Sequence, residues 1–239
     1  MSRSESRSVE QRTRRASAAE PHPTITAHAG SLGTAPNTAS SFKAALERPV
    51  DYLEADVRFT PDNEAYLSHD ALPMPLPRGT MRLKELLKLA AARPKVRLNL
   101  DMKEYTGIGE MASLIKRSKM GSRVILTGIV RGAVQWAKES GDGLPYLLNA
   151  HPNAWQRITA AGAARFAREI KACGARGLNT HHAFVTRTLV RALASAGLSL
   201  SVWTVDSERE MRRILDLDVD NITTNRIDAL LALRNGRTR

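Results

Sequence analysis

The stretch LEADVRFTPDNEAYLSHD, Leu53–Asp70, carries the pattern that decides the fold. Glu54, Asp56 and Arg58 alternate with Ala55, Val57 and Phe59. That is the two-residue period of a strand, and it puts both carboxylates on one face. Carboxylates side by side repel each other, and a divalent cation that takes carboxylate oxygens resolves the repulsion. The run TPDNE (60–64) reads as a turn, AYLSH (65–69) as a short returning strand, and His69 follows Asp56 by thirteen residues. One strand therefore brings an acidic pair and a histidine to the same end of a sheet.

Working outward, similar short apolar runs recur along the chain. They are TITAH (24–28), YLEADVRF (52–59), VRLNLDM (96–102), RVILTGI (123–129), YLLNA (146–150), GLNTH (177–181), LSLSVWTV (198–205) and NITTN (221–225). Between them lie segments with apolar residues three and four apart, such as LKELLKLAAA, AARFAREIKAC and SEREMRRILDL. Eight strands alternating with helices at this length predict a (β/α)₈ barrel, an α/β fold with a hairpin strand after strand two. An open doubly wound sheet is the alternative, but the chain lacks a G-x-G-x-x-G or Walker loop. In a barrel the site lies at the C-terminal strand ends. His28, Glu54, Asp56, His69, Asp101, Lys103 and Trp203 all fall there, as do His151, His181 and His182.

Composition narrows the function classes. The formal net charge is +12 with 5% aromatic residues, and the basic residues are scattered rather than interleaved with aromatics. This argues against specific nucleic-acid binding and reads first as a solvated basic surface, with attraction of an anionic substrate or an anionic lipid surface as the alternative. No run approaches a membrane span, and residues 1–20 lack the apolar core of a secretory signal. Those residues read as a disordered basic arm, with a single barrel domain over 24–236. One cysteine, Cys173, excludes an internal disulfide, reads as structural, and fits a reducing, cytoplasmic setting.

The motifs HAG (28–30), APNT (35–38), EADVRFTPD (54–62), HD (69–70), LDMK (100–103) and VWTV (202–205) resemble those of the glycerophosphodiester phosphodiesterase family. That family belongs to the phosphatidylinositol phospholipase C-like phosphodiesterases. The resemblance implies that Glu54, Asp56 and Asp101 hold a divalent metal, Mg²⁺ or Ca²⁺. It implies that His28 and His69 are the acid and base, and that a neighbouring substrate hydroxyl attacks phosphorus to give a cyclic phosphate. Lys103, Trp203 and Arg58 are the expected substrate contacts. A phosphodiester needs charge neutralised and protons moved at both the attacking and leaving oxygens, and histidine titrates in the right range.

Ala29 stands where the family has the arginine of H-R-G, Pro36 where it has the glutamate of P-E-N-T, and Asp101 where it has glutamate. The segment between His69 and Asp101 is short. Arg58, which shares the parity of Asp56, is the candidate replacement cation. The leading expectation is a metal-dependent phosphoric diester hydrolase acting on a small or lipid phosphodiester. The alternatives are a phospholipase D-like lyase of the sphingomyelinase D type and a barrel that binds phosphorylated ligands without turnover.

Overall fold

The computed structural model describes residues 23–236, so the basic arm expected over 1–20 lies outside the described residues. Nine strands run β1 (Thr24–Ala27), β2 (Tyr52–Phe59), β3 (Ala65–Leu67), β4 (Arg97–Met102), β5 (Val124–Ile129), β6 (Tyr146–Asn149), β7 (Gly177–His181), β8 (Ser199–Trp203) and β9 (Asn221–Thr224). Eight are parallel neighbours in the order β1-β9-β8-β7-β6-β5-β4-β2, and pairing of Thr26 with Tyr52 closes the ring. β3 pairs antiparallel with β2 outside that ring, along Val57–Phe59. The architecture is the expected (β/α)₈ barrel with a hairpin strand. His28 lies one residue beyond β1 and His69 two beyond β3, just past the expected strand ends.

The helices are α1 (Ala39–Leu46), α2 (Leu83–Ala91), α3 (Ile108–Arg117), α4 (Val134–Ser140), α5 (Ala154–Ile158), α6 (Ala160–Ala172), α7 (Arg187–Ser195), α8 (Glu208–Leu215) and α9 (Ile227–Gly236). α2 shows why they form and where they pack. Leu83, Leu86, Leu87 and Ala90 recur at helical spacing and are buried, while Glu85 at the third position accepts from the Arg82 N–H. The core is the layer between helices and barrel. There the outward residues Leu53, Ala55 and Val57 of β2 and Leu98, Leu100 and Met102 of β4 are almost fully buried. Each large apolar side chain so placed contributes roughly 1.5–3 kcal/mol.

The other strand face lines the barrel interior, and toward the mouth it is polar. Thr127 donates to Asn99 Oδ1 at 2.7 Å, and Asn179 donates to Asn149 at 3.2 Å. Barrel interiors are usually filled by Val, Ile and Leu. Here the buried polar layer forms hydrogen bonds among its own members and supports the charged residues above it.

Candidate active site

Two register facts assemble the site. Asp56 on β2 is the direct partner of Asp101 on β4, so two inward carboxylates stand on adjacent strands. Glu54 lies one inward step below Asp56, opposite Asn99. One carboxylate oxygen from each of Glu54, Asp56 and Asp101 lies within 4.8 Å of the other two. Glu54 and Asp56 are 5% and 4% exposed, so this cluster is charged and largely dry.

Several groups hold these carboxylates in place. The backbone N–H of Ala29 donates to Glu54 Oε2 at 2.9 Å. Asn37 Nδ2 donates to Asp56 Oδ2 at 2.8 Å, and the Asp56 N–H returns a bond to Asn37 Oδ1 at 3.1 Å. Asn37 reaches Asp56 because its backbone is left-handed, with φ of 58°, a conformation that asparagine tolerates better than most residues. The next residue, Thr38, then caps α1 by accepting from the Ser41 N–H. In the sequence only the APNT motif (35–38) points to Asn37, and its role shows in the contact with Asp56. The same Thr127 hydroxyl lies 3.0 Å from Asp101 Oδ1, so it is shared between Asn99 and Asp101.

Lys103 is the cation inside the cluster, with Nζ 2.9 Å from Asp56 and 2.5 Å from Asp101. Burial works to lower its pKa, but the two carboxylates outweigh that and raise it, so the side chain is firmly an ammonium. One ammonium faces three carboxylates. Glu54 feels the shortfall: burial first, then Asp56 and Asp101, push its pKa well above the ordinary 4.5, against the opposing Ala29 N–H and Lys103. Three converging hard oxygen donors with excess negative charge fit a divalent cation of the Mg²⁺ or Ca²⁺ kind.

Nε2 of His28 is 3.9 Å from Glu54 Oε2, and its buried Nδ1 has no hydrogen-bond partner. His69 occupies the rim beside β2, where the Ser68 N–H donates to the Asp56 carbonyl. Its ring is 68% exposed and Nδ1 lies 2.9 Å from Asp70 Oδ1. The Arg58 guanidinium pairs with Glu104, and its Nε donates to the His69 carbonyl at 3.0 Å. Ala29 is 1% exposed, so its methyl is packed away while its N–H serves Glu54.

Across the ring, at the ends of β6 to β8, rings gather. His151 stacks on Phe184 at 4.8 Å, His181 meets Trp203 edge-on at 5.6 Å, and His181 and His182 lie 4.3 Å apart. Trp203 Nε1 is buried with no partner. Cys173 follows the last turn of α6, where its carbonyl accepts from the Tyr146 hydroxyl, a packing role.

The profile of the "Glycerophosphoryl diester phosphodiesterase family" matches residues 28–80 and 77–229. A Mycobacterium tuberculosis protein named "Probable glycerophosphodiester phosphodiesterase 2" is 29% identical over 223 residues, spanning 81% of this chain and 83% of that one. Among solved structures, a glycerophosphodiester phosphodiesterase from Parabacteroides distasonis superposes with a TM-score of 0.77 at 20% identity. That match covers 92% of this chain and 100% of the other. An Oleispira antarctica phosphodiesterase in complex with the product sn-glycerol-3-phosphate gives 0.71 at 18% identity, covering 88% and 96%. At these identities the structural likeness is one of fold.

Proposed function

Because the chain belongs to the glycerophosphoryl diester phosphodiesterase family, whose members are phosphoric diester hydrolases, we propose that it cleaves a glycerophosphodiester, or a closely related phosphodiester, with a divalent metal at Glu54, Asp56 and Asp101 and proton transfer by His28 and His69. The observation that carries this reading is the charge imbalance: three converging carboxylates against the single ammonium of Lys103. A bound Mg²⁺ or Ca²⁺ supplies Lewis-acid neutralisation of phosphate charge.

The chain's own residues supply the rest. Lys103 adds a fixed positive charge at the mouth, where a phosphodiester's anionic oxygens need one. One histidine takes the proton from a substrate hydroxyl next to the phosphorus, as that oxygen forms its bond to phosphorus. The other gives a proton to the leaving alkoxide as the old P–O bond breaks. Water then opens the resulting cyclic phosphate with the two proton-transfer roles exchanged. His69 Nδ1 lies 2.9 Å from Asp70 Oδ1, and the exposure of the ring leaves its second nitrogen open to substrate. Trp203, half-buried at the end of β8, offers an apolar wall at the far side of the mouth, suited to the alcohol portion of the substrate.

The test is hydrolysis of a panel from glycerophosphocholine to lysophospholipids, followed by phosphorus NMR. Activity should vanish with excess EDTA and return with Mg²⁺ or Ca²⁺, and Asp101→Asn should weaken the metal requirement's half-saturation. Full activity under chelation would overturn the metal reading. A cyclic phosphate that accumulates without opening would replace the hydrolase with a lyase.

A further inference from the structure

α5 is built with its faces reversed. Trp155 and Ile158, three residues apart and so on one side of the helix, are 47% and 61% exposed. Its polar residues Gln156 and Arg157 are half-buried. Gln156 is tied to Asn153 through a reciprocal cap, and the Arg157 guanidinium lies 5.9 Å from the Phe184 ring centre. A surface helix ordinarily buries the apolar side. Neither Trp155 nor Ile158 has an obvious role in the site described above.

The exposure is also one-sided. Among the described residues the exposed large apolar side chains are Met74, Val130, Trp136, Trp155 and Ile158. Met74 follows β3, Val130 and Trp136 follow β5, and Trp155 and Ile158 follow β6. Val130, Trp136, Trp155 and Ile158 thus lie in segments that leave β5 and β6 at the mouth end, whereas Met74 follows the antiparallel β3. Single exposed apolar residues need no explanation, but their collection on one end does.

Charge says what covers that end. On the β5–β7 side the segments that leave the strands at the mouth carry Arg131, Arg157 and Arg187 and, through their first turns, no acidic residue; Arg131 pairs with Glu169 of α6. They form a positive arc at that end. Exposed Arg187 opens α7 at the same end. A second copy would bring the same positive arc against itself and be repelled. An anionic bilayer supplies both complements: headgroup charge for the arginines and an interfacial region in which Trp and Ile side chains are at home. No helix among the described residues is long and apolar enough to cross a membrane, so the contact is one of lying on a surface.

We propose that the mouth face on the β5–β7 side docks on an anionic lipid bilayer, with Trp155 and Ile158 seated among the headgroups. The barrel mouth then faces the membrane. On the catalytic reading above, this orientation offers phosphodiesters of lipid origin to Lys103 and the histidines.

The experiment is co-sedimentation of the full chain with vesicles of phosphatidylcholine alone and of phosphatidylcholine mixed with phosphatidylglycerol, run in parallel with the double variant Trp155→Ser/Ile158→Ser. The wild type should pellet with the anionic vesicles and stay free with the neutral ones. The variant, whose substitutions are exposed and should leave the melting temperature unchanged, should lose affinity for anionic vesicles by a factor on the order of ten. Equal binding by variant and wild type, or no binding by either, overturns the proposal. So does light scattering that shows a wild-type dimer reduced to a monomer by the variant, since the face then belongs to a second copy. Because sedimentation requires no turnover, an inactive but vesicle-binding protein would sink only the catalytic reading. A phosphodiesterase that ignores vesicles would sink only this one.

Discussion

Nζ of Lys103, one residue past the end of β4, lies 2.5 Å from Oδ2 of Asp101. The same ammonium reaches Asp56 at 2.9 Å, which makes it the internal counterion of the carboxylate cluster. Replacing Lys103 with Met should leave three carboxylates without their cation. Removing one partner of a largely buried ion pair costs about 3 kcal/mol, which for a domain of this size corresponds to a melting temperature lower by roughly 6–12 °C. Added Mg²⁺ or Ca²⁺ should restore more stability to this variant than to the wild type, since the ion neutralises charge that Lys103 no longer does. Thermal melts in EDTA and in each ion check this, and an equal ion-dependent gain in both proteins would contradict it.

Replacing His28 or His69 with Ala should leave the fold nearly unchanged. Turnover should nonetheless fall by a factor on the order of 10²–10⁴, the usual worth of positioned acid–base catalysis. The pH profile of kcat should be bell-shaped in the wild type and lose one limb in each variant. Wild-type rates in both variants would dismiss the two-histidine mechanism.

Arg58 acts on His69 through backbone, since it donates to the His69 carbonyl while Glu104 holds its other end. Glu104 also accepts from the Phe59 N–H at 3.3 Å, which ties the end of β2 to the end of β4. Arg58→Gln should therefore loosen the His69 segment and lower kcat by about 10-fold to 100-fold, with a smaller change in KM, because a small misplacement of a catalytic group is costly. A pure rise in KM would instead make Arg58 a substrate contact.

Gly128 sits at φ of +73° where the β5–β6 register shifts. A Cβ there would come within 2.3 Å of the Met102 carbonyl and 3.0 Å of Asp101 Oδ1. Gly128→Ala should cost roughly 2 kcal/mol or more in denaturant unfolding and displace Asp101, so activity and metal affinity should fall together. An unchanged midpoint would mean that the bulge relaxes freely.

The pKa of His182 is lowered from the ordinary 6.5 by burial and by His181, against the opposing Glu210 carboxylate at 3.2 Å. A depressed histidine binds its proton less readily in the folded chain than in the unfolded one. Above pH 6.5 both states are neutral and His182 is without effect. As pH falls below that value the unfolded state gains protons first, and stability declines until the folded-state pKa is passed. His182→Gln should flatten this part of the stability profile, measured by urea midpoints across pH 5 to about 7.

The sequence by itself determined the barrel and the face on which its acidic residues stand. Both are written in local periods. Alternation along Leu53–Phe59 places Glu54 and Asp56 together whatever lies beside them, and strand–helix alternation at this length leaves few other topologies. The family motifs further marked Asp101, Lys103 and the two histidines. What Lys103 and Arg58 touch was not written locally. Lys103 meets Asp56 only because Asp56 and Asp101 fall in register between β2 and β4, and Arg58 is claimed by Glu104 forty-six residues away. Asn37 becomes a partner of Asp56 only through a left-handed backbone two residues before α1. The outward set of Trp155 and Ile158 is likewise invisible to periodicity, which gives a helix its apolar side but not the direction that side faces. Side-chain parity is set by the chain's own dihedral repeat, whereas ion pairing and exposure are set by which distant segments close around it, and only the folded chain decides those.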